Sequence, residues 1–403
     1  MLILVCNAGS TSLKFKLLSF PKELVLAECG IERIGDPGKG IWKFGANDER
    51  VRMDNIDVPD YETGIGMFMQ SLHENGIAAV EDIDCIGFKT VMAKGFDGIH
   101  ELTDEVMEAT RVFLPVAPVH NKAYIECIDV MKRLFPDVLL MGVFESAFHA
   151  TIPEYERIYA LPWQWYSEYG IKRLGFHGAS HGYIAGRVGE LYGQQHRAIS
   201  CHLGGSSSIC AIKDGASMAN SFGFTPQTGI PHSSRAGDFD IFSLPYLDSL
   251  GKTVDQVLDE LSHDGGVKGI SGVSNDMREI EQAAQTGSER ALLAMKHYSN
   301  EIVKHIGAYY ACLGGLDTLV FTAGIGENSI EIRRMICEAL IHMGIELDEE
   351  KNKHAQGECT ISTPSSKVRV CVLPTNEELA LSRQLYRCLT QGIKNDIWRR
   401  ADA

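Results

Sequence analysis

Leu2-Ile3-Leu4-Val5-Cys6-Asn7-Ala8-Gly9-Ser10-Thr11-Ser12-Leu13-Lys14-Phe15-Lys16-Leu17 opens the chain as an apolar run, a small polar tip and an alternating return. An apolar run bounded by turn formers reads as a buried strand, and the alternation over Leu13–Leu17 reads as a second strand. Together they predict a β-hairpin whose tip, Asn7–Ser12, is rich in amides and hydroxyls. Such a tip can hold phosphate oxygens, and Lys14, two residues beyond Ser12, points to the same side of its strand. An ordinary tight turn with a solvated Lys14 is the plainer alternative, which the hairpin alone does not displace.

The same design returns about two hundred residues later, where Ala198–His202 is strand-like, Leu203-Gly204-Gly205-Ser206-Ser207-Ser208 is a polar tip and Ile209–Ile212 comes back. Two similar units so far apart point to two related domains, not to a short-period repeat. A third unit differs: the strand Thr318–Thr322 leads into a Gly-rich loop, Ala323–Asn328, and Ser329 is placed to cap a helix over Ile330–Met343. A strand, a Gly loop and a helix N-terminus together favour an anion or nucleotide site. Helical periodicity also marks Thr103–Leu114, Lys122–Leu134, Val254–Leu261, Ser288–Leu313 and Glu377–Leu389. Strands alternating with helices place the chain in the α/β class. No Pro/Gly/Ser-rich linker marks a boundary; the expected joint is Phe144–Pro153.

The 403 residues suffice for two or three domains with sizeable cores. A net charge of −15 argues against nucleic-acid binding, and any anion site must carry its own local positive charge. No apolar run approaches the length of a membrane span, so no membrane partner is expected. The eleven cysteines are scattered without a CxxC pair and read as buried free thiols of a cytoplasmic protein.

Several residues could carry chemistry, each against a plainer reading. His177 and His181 are four apart, but the glycine between them favours a helix start. A histidine facing a phosphoryl group is therefore a better functional reading than a two-histidine metal site, and a satisfied structural histidine is the alternative. Arg235, in a loop of small residues, is a candidate oxyanion clamp, against a surface ion pair with Asp238. Glu377-Glu378 could serve magnesium, against plain complementation of a helix dipole.

In combination these stretches are far more specific. Asn7–Lys14, Arg173-Leu174-Gly175-Phe176-His177-Gly178, His202-Leu203-Gly204, Gly223-Phe224-Thr225-Pro226, Ser234-Arg235, Phe321–Asn328 and Thr375-Asn376-Glu377-Glu378 occur in an order that resembles the acetate kinase family, with its propionate and butyrate kinases, from Met1 to about Arg387. The resemblance implies two actin-like, ribonuclease H-like domains with a central cleft. Residues 1–150, completed by a C-terminal helix over 384–403, would form one, and residues 151–383 the other, which binds nucleotide. It implies ATP-dependent, reversible phosphorylation of a short carboxylate, acetate first, with Mg2+ (or Mn2+ in its place) and a homodimer.

By motif, the resemblance makes Asn7, Ser10, Ser12 and Lys14 the first phosphate-facing turn, and His202, Gly204 and Gly205 the second. Glu145, His177 and Arg235 would be catalytic. Asp276, Arg278, Gly324, Gly326, Glu327 and Asn328 would hold the nucleotide, and Asn7 and Glu377 would serve the metal. Lys89 would bind the acid, with Val91, Val119, Phe176 and Pro226 around its acyl group.

The departures from the family cluster on the acceptor and γ-phosphate side. Where the family reads His-Arg-Val-Val-His-Gly-Gly, this chain has Phe88-Lys89-Thr90-Val91-Met92-Ala93-Lys94. Glu145 stands for the family's catalytic Asp, Gly205 for an Asn, and His232-Ser233 for Met-Gly. Lys cannot copy the bidentate fork of Arg, so Lys89 is expected to hold a carboxylate more loosely. Two alternatives follow: a hydroxyl or larger-acid acceptor with Glu145 as base, or a nucleotide-binding regulator without turnover.

Overall fold

Each of the two sheets of the protein begins with one of these hairpins. The computed structural model describes residues 1–47, 49–116 and 118–392, with backbone alone for 118–120. The first sheet holds β1 (Leu2–Gly9), β2 (Ser12–Ser19), β3 (Leu24–Glu32), β4 (Gly40–Ala46), β5 (Glu49–Ile56), β6 (Cys85–Thr90), β7 (Ile99–Glu101) and β8 (Leu140–Phe144). Its order is β5-β4-β3-β2-β1-β6-β8-β7. Strands β1 to β5 form an antiparallel meander, and β6 and β8 add parallel to β1.

The second sheet holds β9 (Arg197–Leu203), β10 (Ser207–Lys213), β11 (Ala216–Asn220), β12 (Thr318–Thr322), β13 (Cys359–Thr360) and β14 (Arg369–Val372), in the order β11-β10-β9-β12-β14-β13. Here too an antiparallel three-strand unit is extended by two parallel neighbours, β12 and β14. The chain divides into two compact units, Met1–Ala150 with Asn376–Ala403, and Thr151–Thr375.

Details differ from the sequence reading at the tips. In the first hairpin the strands run further than expected, with Asn7 opposite Lys14 and Gly9 opposite Ser12, so only Ser10-Thr11 turn. Pairing in β1 takes up the backbone groups of Asn7–Gly9, which a loop would have left to solvent. Gly9 lets Ser12 approach closely, since a Cβ there would lie 2.7 Å from Ser12 Oγ unless that hydroxyl turned away. In the second hairpin Gly204-Gly205-Ser206 alone form the tip. Ala323–Asn328 is a correction: it is a short helix, not a loop, entered through Ala323 at φ 64°. The next helix is capped by the Ser329 hydroxyl as expected, but it ends at Ala339.

The other helical periodicities are helices at Asp104–Val112, Pro118–Leu134, Val254–His263, Glu289–Leu313 and Glu377–Gln391. The helix expected over 384–403 thus starts earlier, and residues 393–403 lie outside those described. In the first unit Leu381 and Leu385 of this helix pack on Ile3, Val5 and Val143. That approach needs Gly87 on β6, where a Cβ would sit 2.1 Å from Leu385 Cδ1. In the second unit Tyr298, Ile302 and Ile306 of the long helix Glu289–Leu313 pack on Ile199, Ile209 and Phe321. All eleven cysteines are free thiols, nine of them buried, as read from their scatter. Among the described residues no helix is long and apolar enough to cross a membrane.

Candidate active site

Parallel strands gather polar residues at their carboxyl ends, where open α/β sheets bind ligands. In the first unit β1, β6 and β8 end beside one another and carry Asn7, Lys89 and Glu145, the last held by its backbone N–H on Thr90 O at 2.8 Å. The helix Glu377–Gln391 adds Glu377 in its first turn. Lys89 Nζ lies 2.7 Å from Glu145 Oε1 and 2.9 Å from Glu377 Oε2. Burial pulls the Lys89 pKa down, but the Glu145 and Glu377 carboxylates outweigh it and hold it well above the ordinary lysine value. Tyr124, not singled out by any motif, donates to Asn7 Oδ1 at 2.7 Å and fixes that amide. Ser10 and Lys14 are exposed and Ser12 half-buried on the hairpin. Val91 is buried in this unit. The side chain of Val119 lies outside the described residues.

The second unit holds the histidines. His177 stands at the N-terminal boundary of the helix Gly178–Tyr192 with a left-handed backbone, φ 57°. A non-glycine residue held in that region is a strained conformation of the kind found at functional sites. Its Nδ1 lies 2.8 Å from Ser208 Oγ, and His181 Nε2 lies 2.7 Å from the same hydroxyl. One hydroxyl proton serves one ring, so the other imidazole donates its N–H to Ser208. His202 stacks on His177 with ring centroids 4.1 Å apart, and its Nδ1 meets Ser180 Oγ at 2.8 Å. The hydroxyl network orients His177; among the described residues no group of three His, Cys, Asp or Glu is placed to hold a metal.

Arg235 corrects the plainer reading of its loop. Among the described residues no ion pair joins it to Asp238, whose carboxylate accepts from Gly229 N–H instead. Its guanidinium donates to Pro226 O, and burial lowers its pKa to about 10. It stays charged at neutral pH, and among the described residues no carboxylate forms an ion pair with it. His232, beside it, accepts the Ser207 N–H on Nδ1 at 3.0 Å, and burial followed by Arg235 pushes its pKa down to about 3. Phe176 is buried edge-on to Phe222, and Pro226 is half-buried.

A cavity of about 610 Å³ in this unit is lined by Gly204, Gly205, Asp276, Arg278, Gly324 and Asn328, with Ser233, Glu281 and Ser329. Four of the expected nucleotide residues and the two glycines of the second phosphate turn therefore meet in one place. Gly326 and Glu327 do not line it; their carbonyls accept from the buried Arg333 at 3.0 and 2.8 Å, which pins the turn from behind. Asp276 caps the helix Met277–Gln285 and pairs with Arg278. Gly205 is not demanded by its surroundings: a Cβ would meet only Ser233 Oγ, at 3.6 Å. Glu281 and Arg333 escaped the sequence reading because neither sits in a glycine or hydroxyl motif; only the fold turns them toward the cavity and its floor.

Two α/β units with charged side chains and glycine turns at the ends of their parallel strands define a phosphate-handling class of enzyme. The model of the Acetokinase family matches residues 2–383, and the chain belongs to that family. It is 40% identical over 391 residues, 96% of this chain and 98% of the other, to the acetate kinase of Shouchella clausii. Among solved structures, Porphyromonas gingivalis acetate kinase superposes with a TM-score of 0.86 at 38% identity, covering 96% of this chain and all of that one. A propionate kinase from Francisella tularensis gives 0.86 at 33% identity, over 94% of this chain and 97% of its own. The fold is the actin-like α/β fold expected from the sequence.

Proposed function

We infer that this chain is an acetate kinase, transferring the γ-phosphoryl group of ATP reversibly to a short carboxylic acid. The observation that carries the reading is the family match across residues 2–383. A carboxylate acceptor is already ionised at neutral pH, since such groups titrate near ~4. It needs no general base; the task is to offset repulsion between two anions. Arg235, charged and in no ion pair among the described residues, suits the phosphoryl group in transfer, and His177, oriented by Ser208, suits hydrogen bonding to it.

Nucleotide binding is assigned to the Thr151–Thr375 unit, whose 610 Å³ cavity is of a size to take a nucleoside. The acid side is assigned to Lys89 and Val91 in the first unit. The donor set of Glu145 and Glu377, with Asn7 nearby, fits Mg2+, which takes oxygen ligands and is commonly held by one or two carboxylates plus substrate phosphates. When bound, the metal would supply charge neutralisation for the phosphates. The pairing of Lys89 with Glu145 at 2.7 Å speaks against Glu145 as a free base for a hydroxyl acceptor. A homodimer in the cytoplasm completes the reading. The exposed apolar run Phe239, Ile241, Phe242, Tyr246, Leu250, Val254 and Leu258 supports an interface of that kind.

The deciding assay incubates the protein with Mg-ATP and acetate, propionate, butyrate or a hydroxylated acid, and traps acyl phosphate with hydroxylamine. Hydroxamate from acetate is expected. ADP release without hydroxamate would point to a hydroxyl acceptor, and nucleotide binding without ADP release to a regulator; either result would overturn the reading.

A further inference from the structure

We propose that Lys89 is the resident cation of the Glu145–Glu377 pair, that a divalent metal takes its place there, and that this exchange releases the Lys89 ammonium to the acid substrate. The proposal rests on the assignment of Glu145 and Glu377 to the metal, and it adds an order of binding that the assignment does not contain.

The geometry is specific. Lys89 Nζ sits between the two carboxylates at 2.7 and 2.9 Å, and the three side chains are 22%, 7% and 22% exposed. An ammonium has three donors and no acceptor, so two of its three directions are taken. The carboxylate oxygens that face Lys89, Glu145 Oε1 and Glu377 Oε2, are the hard donors a divalent cation requires. Ammonium and metal therefore compete for the same oxygens. Tyr124, beside this cluster and held in its phenol form by burial, donates to Asn7 Oδ1.

Charge decides the direction of the coupling. Lys89, Glu145 and Glu377 among themselves carry a net charge of minus one, which disfavours an incoming carboxylate. A divalent cation reverses that sign to plus one and frees the ammonium to meet the acid. In a half-buried site such a reversal acts through short distances and weak screening. Linkage then requires that the acid tighten metal binding by the same factor by which metal tightens acid binding.

The test is a Mn2+ titration of the full chain, without nucleotide, followed by electron paramagnetic resonance, with and without acetate. The wild-type protein is expected to bind Mn2+ several-fold more tightly in acetate; no change overturns the proposal without recourse to any variant. Lys89→Gln is expected to bind Mn2+ about tenfold more tightly than wild type in the absence of acetate, and to lose the acetate effect. Lys89→Arg, which keeps a cation, is expected to stay near wild type. Equal or weaker Mn2+ binding by a folded Lys89→Gln protein overturns the exchange. Glu377→Gln separates the two ideas: if it binds Mn2+ as tightly as wild type, the metal assignment fails and the proposal with it. If it loses Mn2+ while Lys89→Gln is unchanged, only the exchange fails.

Discussion

Lys89, on a parallel strand of the first unit, and Arg235, in a loop of the second, are both half-buried cations, yet the fold treats them in opposite ways. Lys89 is clasped by Glu145 and Glu377 at 2.7 and 2.9 Å. Arg235 meets a backbone carbonyl, that of Pro226, and burial acts on it uncompensated, lowering its pKa to about 10. A paired cation contributes to stability and must be released before it binds anything else. A cation buried without a carboxylate is a standing cost that an anionic ligand removes. The first unit thus stores its charge, and the second presents it.

The largest expected effect tests the second half of this contrast. Arg235→Ala should lower kcat for acyl phosphate formation by about a thousandfold, the upper range for removing one oriented donor to transition-state charge. Its stability should not fall, because among the described residues no ion pair is lost and the cost of burying the charge is removed. A large stability loss measured by urea denaturation would break the comparison. Next in size, Lys89→Met should destabilise the metal-free protein by about 3 kcal/mol, since it leaves two neighbouring carboxylates uncompensated. A loss no larger than that of Arg235→Ala would show that the two cations are not treated differently.

The smallest effect concerns the pH dependence of the second unit. His232 titrates at about 3 in the folded protein, below the ordinary value for histidine of roughly 6.5. Between these values the unfolded chain binds a proton that the folded chain does not, so stability rises with pH. The contribution is complete above pH ~6.5 and falls as pH drops toward ~3, by about 2 kcal/mol between pH 7 and pH 5. His232→Gln, which can still accept the Ser207 N–H, should flatten that slope. The same slope in both proteins would mean that the dependence comes from elsewhere.

Much of the fold could be read in advance because it is written in local pattern. The apolar runs at Leu2–Cys6 and Thr318–Thr322 are strands, and the 3.6-residue periodicities are helices, with ends displaced by a few residues. Ala323–Asn328 misled because its glycines look like a loop, whereas the buried Arg333 draws the carbonyls of Gly326 and Glu327 into a helical turn. The nucleotide cavity was half legible: Gly204, Gly205, Gly324 and Asn328 stand in recognisable stretches, while Glu281 comes from the side of a helix that carries no signal.

The sequence by itself determined the class, the two hairpins, the helices and, through ordered motifs, the family, because each depends on residues close together in the chain. Only the tertiary structure decided what the charged residues do. Lys89 and Glu377 are 288 positions apart, and nothing in either neighbourhood foretells their bond. Arg235 and Asp238 are neighbours in sequence, yet the loop turns them to different partners. Short-range periodicity fixes which backbone forms. The pairing of charges depends on where distant strand ends and helix starts converge, and on how much water that convergence excludes.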